Sequence, residues 1–235
     1  KYIQKYLEPG MRILEIGAGT GRYSLTLARM GYHVDALELV QHNIDILEKS
    51  ITSEMDIAVR QGNALDLSSY QDRSFDIVLL LGPMYHLYDK EDQLQALSEA
   101  LRVAKTDGLL FTSYCMMDAS IICYGFVANN IKELIDKGLI DTERFIALST
   151  PAEIFQMYRK EHIDALIGNF HVERLHYVAT DLTANFMRPA IDTMSDETFE
   201  LYMKYHFCCC ERPDMVGITH HSLDIVKKKI PTQTA

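Results

Sequence analysis

Apolar and polar positions alternate along the first 115 residues so as to predict strands and helices in turn. Short apolar runs predict strands near 11–16, 33–39, 56–61, 75–81 and 108–115. The helix before the fifth run is clear, because Leu94, Leu97 and Leu101 recur at helical spacing behind the acidic start at Asp89. Such alternation is typical of a parallel, doubly wound sheet.

The second half of the chain has a different pattern. Residues 116–168 are predicted to be mainly helical, and Val172–Asp181 alternates as a sixth strand. A helix is predicted over Ser195–Cys208 and a seventh strand over Ile218–Val226. The long interval between these strands is interpreted as an insertion. Its aromatic and histidine residues are candidates for a substrate wall or a packed helix face: Phe186, Tyr202, Tyr205 and His206.

A glycine turn follows the first predicted strand. Residues 13–23 read Ile-Leu-Glu-Ile-Gly-Ala-Gly-Thr-Gly-Arg-Tyr and lead straight into an amphipathic segment. This strand, turn and helix start can present backbone N–H groups to a ligand. The spacing is not the G-x-G-x-x-G of nicotinamide and flavin proteins, and Glu15 would repel a pyrophosphate but suit a ligand carrying an ammonium and a sulfonium.

Polar side chains also follow the next strands. Glu38 stands near the end of the second predicted strand, where α/β sheets bind ligands. Asn63 follows the third strand at Gly62, with Asp66 as the other carboxylate in reach. The fourth strand is a continuous apolar run typical of a buried parallel strand, and Gly82-Pro83 ends it.

These four motifs resemble, in order and spacing, those of small-molecule class I S-adenosylmethionine-dependent methyltransferases, from Arg12 to Leu87 and more weakly to Cys115. The resemblance implies an α/β, Rossmann-like, doubly wound seven-stranded sheet, parallel with one antiparallel edge strand, with helical lid insertions after strands five and six. It implies one domain in which 1–115 bind the cofactor, 116–168 cover the substrate and 169–235 supply strands six and seven with an inserted helical segment.

The resemblance also implies S-adenosylmethionine as cofactor, with S-adenosylhomocysteine as product. Glu38 is implied to hold the ribose hydroxyls, and Asn63, where relatives usually carry Asp, to accept from the adenine amino group. The implied cofactor-binding residues are Glu15, Gly17, Ala18, Gly19, Gly21, Tyr23, Glu38, Leu39, Asn63, Ala64, Leu81 and Gly82.

His86 and Tyr85 are the predicted catalytic residues. The chain has Gly82-Pro83-Met84-Tyr85 in place of the [DN]-P-P-[YFW] motif of amide-nitrogen and nucleic-acid enzymes, and many small-molecule methyltransferases carry a histidine at the position of His86. An oxygen or protonated nitrogen acceptor must lose a proton, so His86 is predicted to be the base and Tyr85 to orient the acceptor. Packing beside Tyr85, with catalysis by positioning alone, is the alternative for His86. Other candidate bases are His206, His220, His221 and the Glu211-Arg212 pair.

Composition narrows the partners. The formal net charge is −10, and no basic stripe precedes Lys227–Lys229, so a nucleic-acid substrate is disfavoured. No apolar run reaches membrane-spanning length. The chain begins at Lys1, and the resemblance implies helical sequence before this point that helps cover the cofactor.

The five cysteines predict reduced, cytoplasmic thiols. An odd number with three adjacent does not resemble a disulfide framework, and adjacent residues on a helix diverge too far to serve together as zinc ligands. No metal site is therefore predicted. The cysteines are Cys115, Cys123, Cys208, Cys209 and Cys210.

The predicted function is methyl transfer to an oxygen or nitrogen of a small molecule, enclosed by 114–168 and 183–221 with His86 at the reacting end. A non-catalytic cofactor-binding protein on the same fold is the alternative; an RNA methyltransferase and a nicotinamide-dependent oxidoreductase rank lower. The identity of the acceptor and the oligomeric state stay open.

Overall fold

The computed structural model describes residues 1–229, and the chain divides into two compact units. The first unit contains residues 1–112, 169–175 and 225–229. The second unit contains residues 113–168 and 176–224. Because β5, β9 and β10, defined below, run across these boundaries, each contributes residues to both units.

Strands and helices alternate through the first part of the chain. In order they are α1 (Tyr2–Tyr6), β1 (Arg12–Ile16), α2 (Arg22–Arg29), β2 (His33–Glu38), α3 (Gln41–Lys49), β3 (Ile57–Gln61), β4 (Phe75–Leu80), a 3-10 helix (Pro83–His86), α4 (Lys90–Val103) and β5 (Ala104–Met116).

Short elements predominate in the remainder. They are α5 (Met117–Ser120), a π-helix (Ile121–Val127), α6 (Ile131–Asp136), β6 (Ile140–Asp141), β7 (Ile146–Ala147), β8 (Met157–Tyr158), α7 (Lys160–Ile167), β9 (Val172–Ala179), α8 (Arg188–Ile191), α9 (Asp196–Cys209), a 3-10 helix (Val216–Ile218) and β10 (His221–Lys228).

The main sheet has the strand order β3-β2-β1-β4-β5-β10-β9, and β8 pairs with the far end of β5. The pairs β1–β2, β2–β3, β1–β4 and β4–β5 are all parallel. The chain moves outward from β1 to β3 on one side and restarts with β4 on the other side. The carboxyl ends of β1 and β4 therefore flank a topological switch point, where open α/β sheets form their ligand clefts.

The central strands are the core of the first unit. The side chains of Ile13, Leu14, Val78 and Leu79 have no exposed surface. A strand buried on both faces has a continuous apolar sequence, which is why apolar and polar residues do not alternate along β4. The buried faces of α2 and α3 extend this core, with Leu25 and Leu47 packed around Ala36.

β10 runs antiparallel to both of its neighbours, β5 and β9, and β9 is the edge strand on this side of the sheet. Beside β5, Met116 N donates to His220 O at 2.7 Å, while at the other end the Lys228 side chain reaches the Ala104 carbonyl. Beside β9, Thr180 N donates to His221 O at 3.0 Å and Lys229 N to His171 O at 3.1 Å. These contacts fix opposite chain directions for β10 and both of its neighbours.

The predicted fold is confirmed in its main features. All seven predicted strands are present, and α4 and α9 occupy the predicted helices. Helices follow the fifth and sixth predicted strands, as the resemblance implied. Ser195 caps α9, because its hydroxyl accepts a hydrogen bond from Thr198 N.

Three predictions need correction. No helix joins β3 to β4, since residues 62–74 form a loop with a bridge between Asn63 and Asp66. The segment 116–168 contains the short strands β6, β7 and β8 as well as helices, so the main sheet has eight strands rather than seven. The last strand begins at His221, because a 3-10 helix occupies Val216–Ile218.

Within residues 1–229, no helix combines the length and the apolar character that a bilayer crossing requires.

Candidate functional site

The glycine turn after β1 has a backbone that few other residues adopt. Gly17, Gly19 and Gly21 have φ angles of +74°, +56° and +88°. A Cβ at Gly17 would lie 2.9 Å from the Pro83 ring, whereas a Cβ at Gly19 would meet nothing within 4 Å. Gly17 is therefore required by close packing, and Gly19 leaves its Cβ direction open for a ligand.

Glu38, at the end of β2, ties the turn to the sheet. Its side chain is only 6% exposed, and its Oε2 accepts a hydrogen bond from Gly19 N at 2.8 Å. Its Oε1 accepts from Val40 N at 2.9 Å and from the Asn43 amide at 3.2 Å. A carboxylate offers about four acceptor positions, so about one remains on Oε2 for a ligand hydroxyl.

Glu15 lies beneath the turn, where its carboxylate meets the first turn of α2. Its Oε2 accepts hydrogen bonds from Ser24 N at 2.8 Å and from the Ser24 hydroxyl. The side chain is 3% exposed, and burial raises its pKa to about 7 although the Ser24 hydrogen bonds oppose this. Glu15 thus satisfies an N–H at the start of a helix whose own N-cap, Gly21, has no side chain.

Asn63 marks the end of β3. Its side-chain oxygen accepts a hydrogen bond from Leu65 N at 3.0 Å, which closes a tight turn. This leaves a second lone pair on the oxygen and the amide N–H donors. Asp66, the alternative carboxylate, instead accepts from Ser68 N at 2.9 Å and lies off the cavity wall.

Tyr85 and His86 lie on the 3-10 helix that follows β4. The Tyr85 hydroxyl donates to the Leu81 carbonyl at 3.3 Å, and the Tyr85 and His86 rings are 5.0 Å apart. His86 is exposed, whereas Met84 on the same 3-10 helix is buried. Packing of Met84 therefore holds this helix against the sheet and leaves His86 exposed.

These segments enclose one cavity of about 690 Å³ in the first unit, a size typical of small-molecule sites. It is lined by Gly17, Gly19, Glu38, Leu39, Val40, Asn43, Gly62, Asn63, Ala64, Leu65, Gly82, Pro83, Tyr85, His86 and Leu87. Backbone, carboxylate, amide, apolar and imidazole groups thus meet at the carboxyl ends of neighbouring parallel strands.

Most of the residues singled out from the sequence lie on this wall. Glu15, Ala18, Gly21, Tyr23 and Leu81 do not. Glu15 lies buried beneath the turn, with its Oε2 accepting from Ser24, so its predicted part in cofactor binding stays a prediction. Ala18 and Gly21 shape the turn from within, where Ala18 packs against Leu25.

Six residues of the wall were not predicted as site residues from the sequence: Val40, Asn43, Gly62, Leu65, Pro83 and Leu87. Val40 and Asn43 follow Glu38 at the start of α3, so the strand-to-helix junction after the acid was the available signal. Leu65 follows the turn closed by Asn63.

The candidate residues of the later insertion lie in the second unit. Tyr202 and His206 line a smaller cavity of about 250 Å³ together with Asp181 and Arg188. Phe186 packs against His220 with ring centroids 5.4 Å apart, and Tyr205 is exposed. At the C-terminal end of α9, Cys208 is exposed, Cys209 is half-buried and Cys210 is buried. Within residues 1–229, no group of three or more His, Cys, Asp or Glu side chains is arranged to hold a metal ion.

Comparison with known proteins gives consistent likenesses. A family model described as a methyltransferase domain matches residues 14–112. A ubiquinone biosynthesis O-methyltransferase of Neisseria meningitidis serogroup C is 27% identical over 192 residues, which are 77% of this chain and 78% of that protein. One from Xanthomonas axonopodis pv. citri is 30% identical over 157 residues, 66% of this chain and 63% of its own length.

Among solved structures, a SAM-dependent methyltransferase from Methanosarcina mazei superposes with a TM-score of 0.66, covering 97% of each chain at 17% identity. This likeness concerns the fold. The family match is more local, and its residues 14–112 include every residue that lines the larger cavity.

Proposed function

Because this chain belongs to the class I S-adenosylmethionine-dependent methyltransferases, we propose that it methylates a hydroxyl oxygen of a small-molecule acceptor. The observation that carries the proposal is the single cavity where the glycine turn, Glu38, Asn63 and the Tyr85–His86 pair meet. Oxygen is preferred to nitrogen because the two relatives above are named O-methyltransferases.

The residues of the cavity fit S-adenosylmethionine. The open Cβ direction at Gly19 lets a ligand lie against the main chain, and the remaining acceptor position of Glu38 suits a ribose hydroxyl. Leu39 keeps an apolar side chain 58% exposed at the wall, which suits one face of an adenine ring. Asn63 offers the amide donors and acceptor that an adenine edge requires.

When bound, the cofactor supplies an electrophilic methyl group on a sulfonium. We assign its methionine part to the backbone of Gly17 and Gly19, its ribose to Glu38 and its adenine to Asn63 with Ala64. The leaving thioether needs no proton, so the chain contributes mainly by positioning the reactants and excluding water.

The acceptor hydroxyl must lose a proton, and His86 is the group that we assign to this step. A neutral imidazole nitrogen can accept a proton, and His86 lies on the cavity wall after the end of β4. Tyr85 stands beside it with the hydroxyl anchored to the Leu81 carbonyl. We assign Tyr85 to orienting the acceptor.

The decisive experiment follows methyl-labelled S-adenosylmethionine into a metabolite extract. We expect label in a low-molecular-weight product. The methyl group of that product should be bonded to oxygen rather than to nitrogen. Label in added RNA would identify an RNA methyltransferase instead. Binding of S-adenosylhomocysteine without any label transfer would favour a non-catalytic cofactor-binding protein.

Glu38→Gln tests the ribose assignment. The amide keeps one acceptor oxygen but loses the charge, so S-adenosylhomocysteine affinity should fall about 10- to 100-fold, since a hydrogen bond to a charged group contributes about 1.5–3 kcal/mol. Isothermal titration calorimetry measures this. Glu48→Gln, an exposed acid on α3, is the matched control. Unchanged affinity in Glu38→Gln contradicts the assignment.

His86→Ala tests the base. Turnover should fall about 10²- to 10⁴-fold, the range for general acid–base catalysis, with little change in S-adenosylhomocysteine affinity. His42→Ala, an exposed histidine on α3, should behave as wild type. Full turnover by the His86→Ala protein on the identified acceptor would leave positioning as the source of rate.

A further inference from the structure

The smaller cavity lies entirely within the second unit and has no part in the proposed methyl transfer. Its volume is about 250 Å³, and its walls come from α8, from α9 and from the turn that follows β9. An apolar cavity of roughly 150 Å³ is enough to hold benzene, so this one has room for one ring or two fused rings. Its size therefore limits the ligand to a small molecule.

One face of α9 forms an aromatic wall of this cavity. Phe199, Tyr202 and His206 stand at positions i, i+3 and i+7, which share one side of a helix. Their ring centroids are 6.4 Å apart for Phe199–Tyr202 and 6.3 Å apart for Tyr202–His206. Met203 on α9 and Ile191 on α8 add apolar surface. Such a wall suits a flat aromatic ligand, which packs well against rings and against a thioether.

Asp181 gives the cavity a carboxylate in which only one oxygen is fully used. Its Oδ2 accepts hydrogen bonds from His221 Nδ1 at 2.8 Å and from the backbone N of His221 at 2.9 Å. Its Oδ1 accepts only from the Thr180 hydroxyl at 3.3 Å among residues 1–229. Because a carboxylate oxygen has two acceptor positions, at least one position on Oδ1 is open to a ligand that donates a hydrogen bond.

The charged groups around the cavity are paired with one another, which favours an uncharged ligand. The hydrogen bond to Asp181 is the main reason that the pKa of His221 rises to about 10, so His221 is a cation near neutral pH. Burial opposes ionisation of Asp181, but its contacts with His221 outweigh burial and lower its pKa. On α8, Arg188 Nε lies 2.9 Å from Asp192 Oδ1. A charged ligand would have to compete with one of these ion pairs.

We propose that the smaller cavity binds small, uncharged aromatic compounds that donate a hydrogen bond to Asp181 from a ring N–H or hydroxyl group. The ligand ring lies against Phe199 and Tyr202, and its donor meets Asp181 Oδ1. A hydrogen bond to an ionised group is stronger than one between neutral groups, so the donor decides which aromatic compounds bind. The residues of this site are separate from those that line the larger cavity, so its occupancy is measured without cofactor.

Indole and indene are a matched pair of probes for this site. The two molecules have the same fused-ring shape, but indole carries an N–H donor where indene carries a CH₂ group. Indole should bind about tenfold more tightly than indene, because indene leaves Asp181 Oδ1 without a partner. Equal affinities for the two probes overturn the proposal.

Nuclear magnetic resonance of protein with ¹³C-labelled methionine methyl groups shows which cavity a probe enters. Met203 lines the smaller cavity, whereas Met84 lies on the 3-10 helix that carries Tyr85 and His86 at the larger one. Met203→Leu and Met84→Leu assign the two signals. Indole should shift the Met203 signal in a saturable way and leave the Met84 signal in place. Absence of a saturable Met203 shift overturns the proposal.

Asp181→Asn tests the donor contact. We expect the amide oxygen to keep the hydrogen bonds from His221, so that the amide NH₂ group takes the place of Oδ1. That group cannot accept from the indole N–H. Indole affinity should fall about tenfold while indene affinity stays within about twofold, which brings the ratio of the two close to one. A cooperative melting transition shows that the variant folds. An unaltered ratio in Asp181→Asn contradicts the proposal.

Phe199→Ala tests the aromatic wall. The substitution removes contact area and no hydrogen bond, so both probes should bind about three- to tenfold more weakly while their ratio is preserved. Leu201→Ala is the matched control, because Leu201 is exposed on α9 and lies off the cavity wall. It should bind both probes as the wild type does. Unchanged affinities in Phe199→Ala would place the probes elsewhere and overturn the proposal.

Discussion

The two units hold their buried or clustered polar groups by different kinds of partner. In the first unit the ligand-facing groups are held by backbone close in sequence, as when Glu38 accepts from Gly19 nineteen residues away and from Val40 two residues away. In the second unit the groups hold one another through side chains from distant strands, as in the Asp181–His221 pair, forty residues apart. A motif can specify the first arrangement, whereas only the assembled sheet creates the second.

The consequence is a different sensitivity to substitution. Where the main chain forms the wall, adding a side chain should do more damage than removing one. Where side chains form the cluster, neutralising one carboxylate should change the chemistry of its partners. Each prediction below tests one side of this contrast.

Gly19→Val should have the largest effect. A side chain in the open direction at Gly19 should lower S-adenosylhomocysteine affinity at least about 100-fold, in addition to about 1–2 kcal/mol of strain from the positive φ. Gly31→Val is the matched control, because Gly31 has φ +87° and equally open surroundings but lies off the cavity wall. Calorimetry and urea unfolding separate the two effects. Equal loss of binding in both variants would break the contrast.

Glu15→Gln should change the pH dependence of stability. Because burial raises the pKa of Glu15 from 4.5 to about 7, the folded state holds this proton more tightly than the unfolded chain does. The resulting stabilisation is complete below pH 4.5 and is lost as the pH rises through about 7. The amide removes this loss, so from about pH 5 to 8 its free energy of unfolding should gain about 1–3 kcal/mol relative to wild type.

Urea titrations at several pH values measure this difference, with Glu48→Gln as an exposed control. A constant difference between the wild-type and Glu15→Gln proteins across that range would show that Glu15 is ionised throughout.

Asp181→Asn should have the smallest effect on stability. Asp181 and Cys115 raise the pKa of His221 to about 10, so the stabilisation from its protonated form is complete below pH 6.5 and is lost as the pH rises toward about 10. The wild type should therefore melt a few degrees above Asp181→Asn near neutral pH, and the gap should close as the pH rises. Scanning calorimetry across this range checks it. A gap independent of pH would assign Asp181 a role in packing alone.

Much of the first unit was predictable from sequence for a physical reason. Parallel strands buried on both faces are continuous apolar runs, and a turn with positive φ requires glycine, so β1, β4 and the glycine turn are visible locally. Glu38 was visible because it ends a strand beside that turn. The role of Glu15 was not, because a carboxylate looks the same in sequence whether it meets a ligand or Ser24 on the next helix.

The second unit was less predictable because its structure depends on remote pairing. The two-residue strands β6 and β7 lack a periodic pattern long enough to read, so a helical interpretation prevailed. The Asp181–His221 ion pair depends on how the end of β9 meets β10, which sequence spacing does not reveal. His221 was only one of several histidines in the sequence, and no local pattern indicates its hydrogen bond to Asp181.

The position of β10 bears on the order in which the chain is built during synthesis. β9 leaves the ribosome before β10, yet β10 lies between β5 and β9. The edge of β5 that pairs with β10 therefore stays unpaired until nearly the whole described chain has been synthesised. Until then β9 cannot take its final place in the sheet. Such an edge is a template for pairing with another chain, so nascent molecules stalled before residue 221 should be the ones that need chaperone protection.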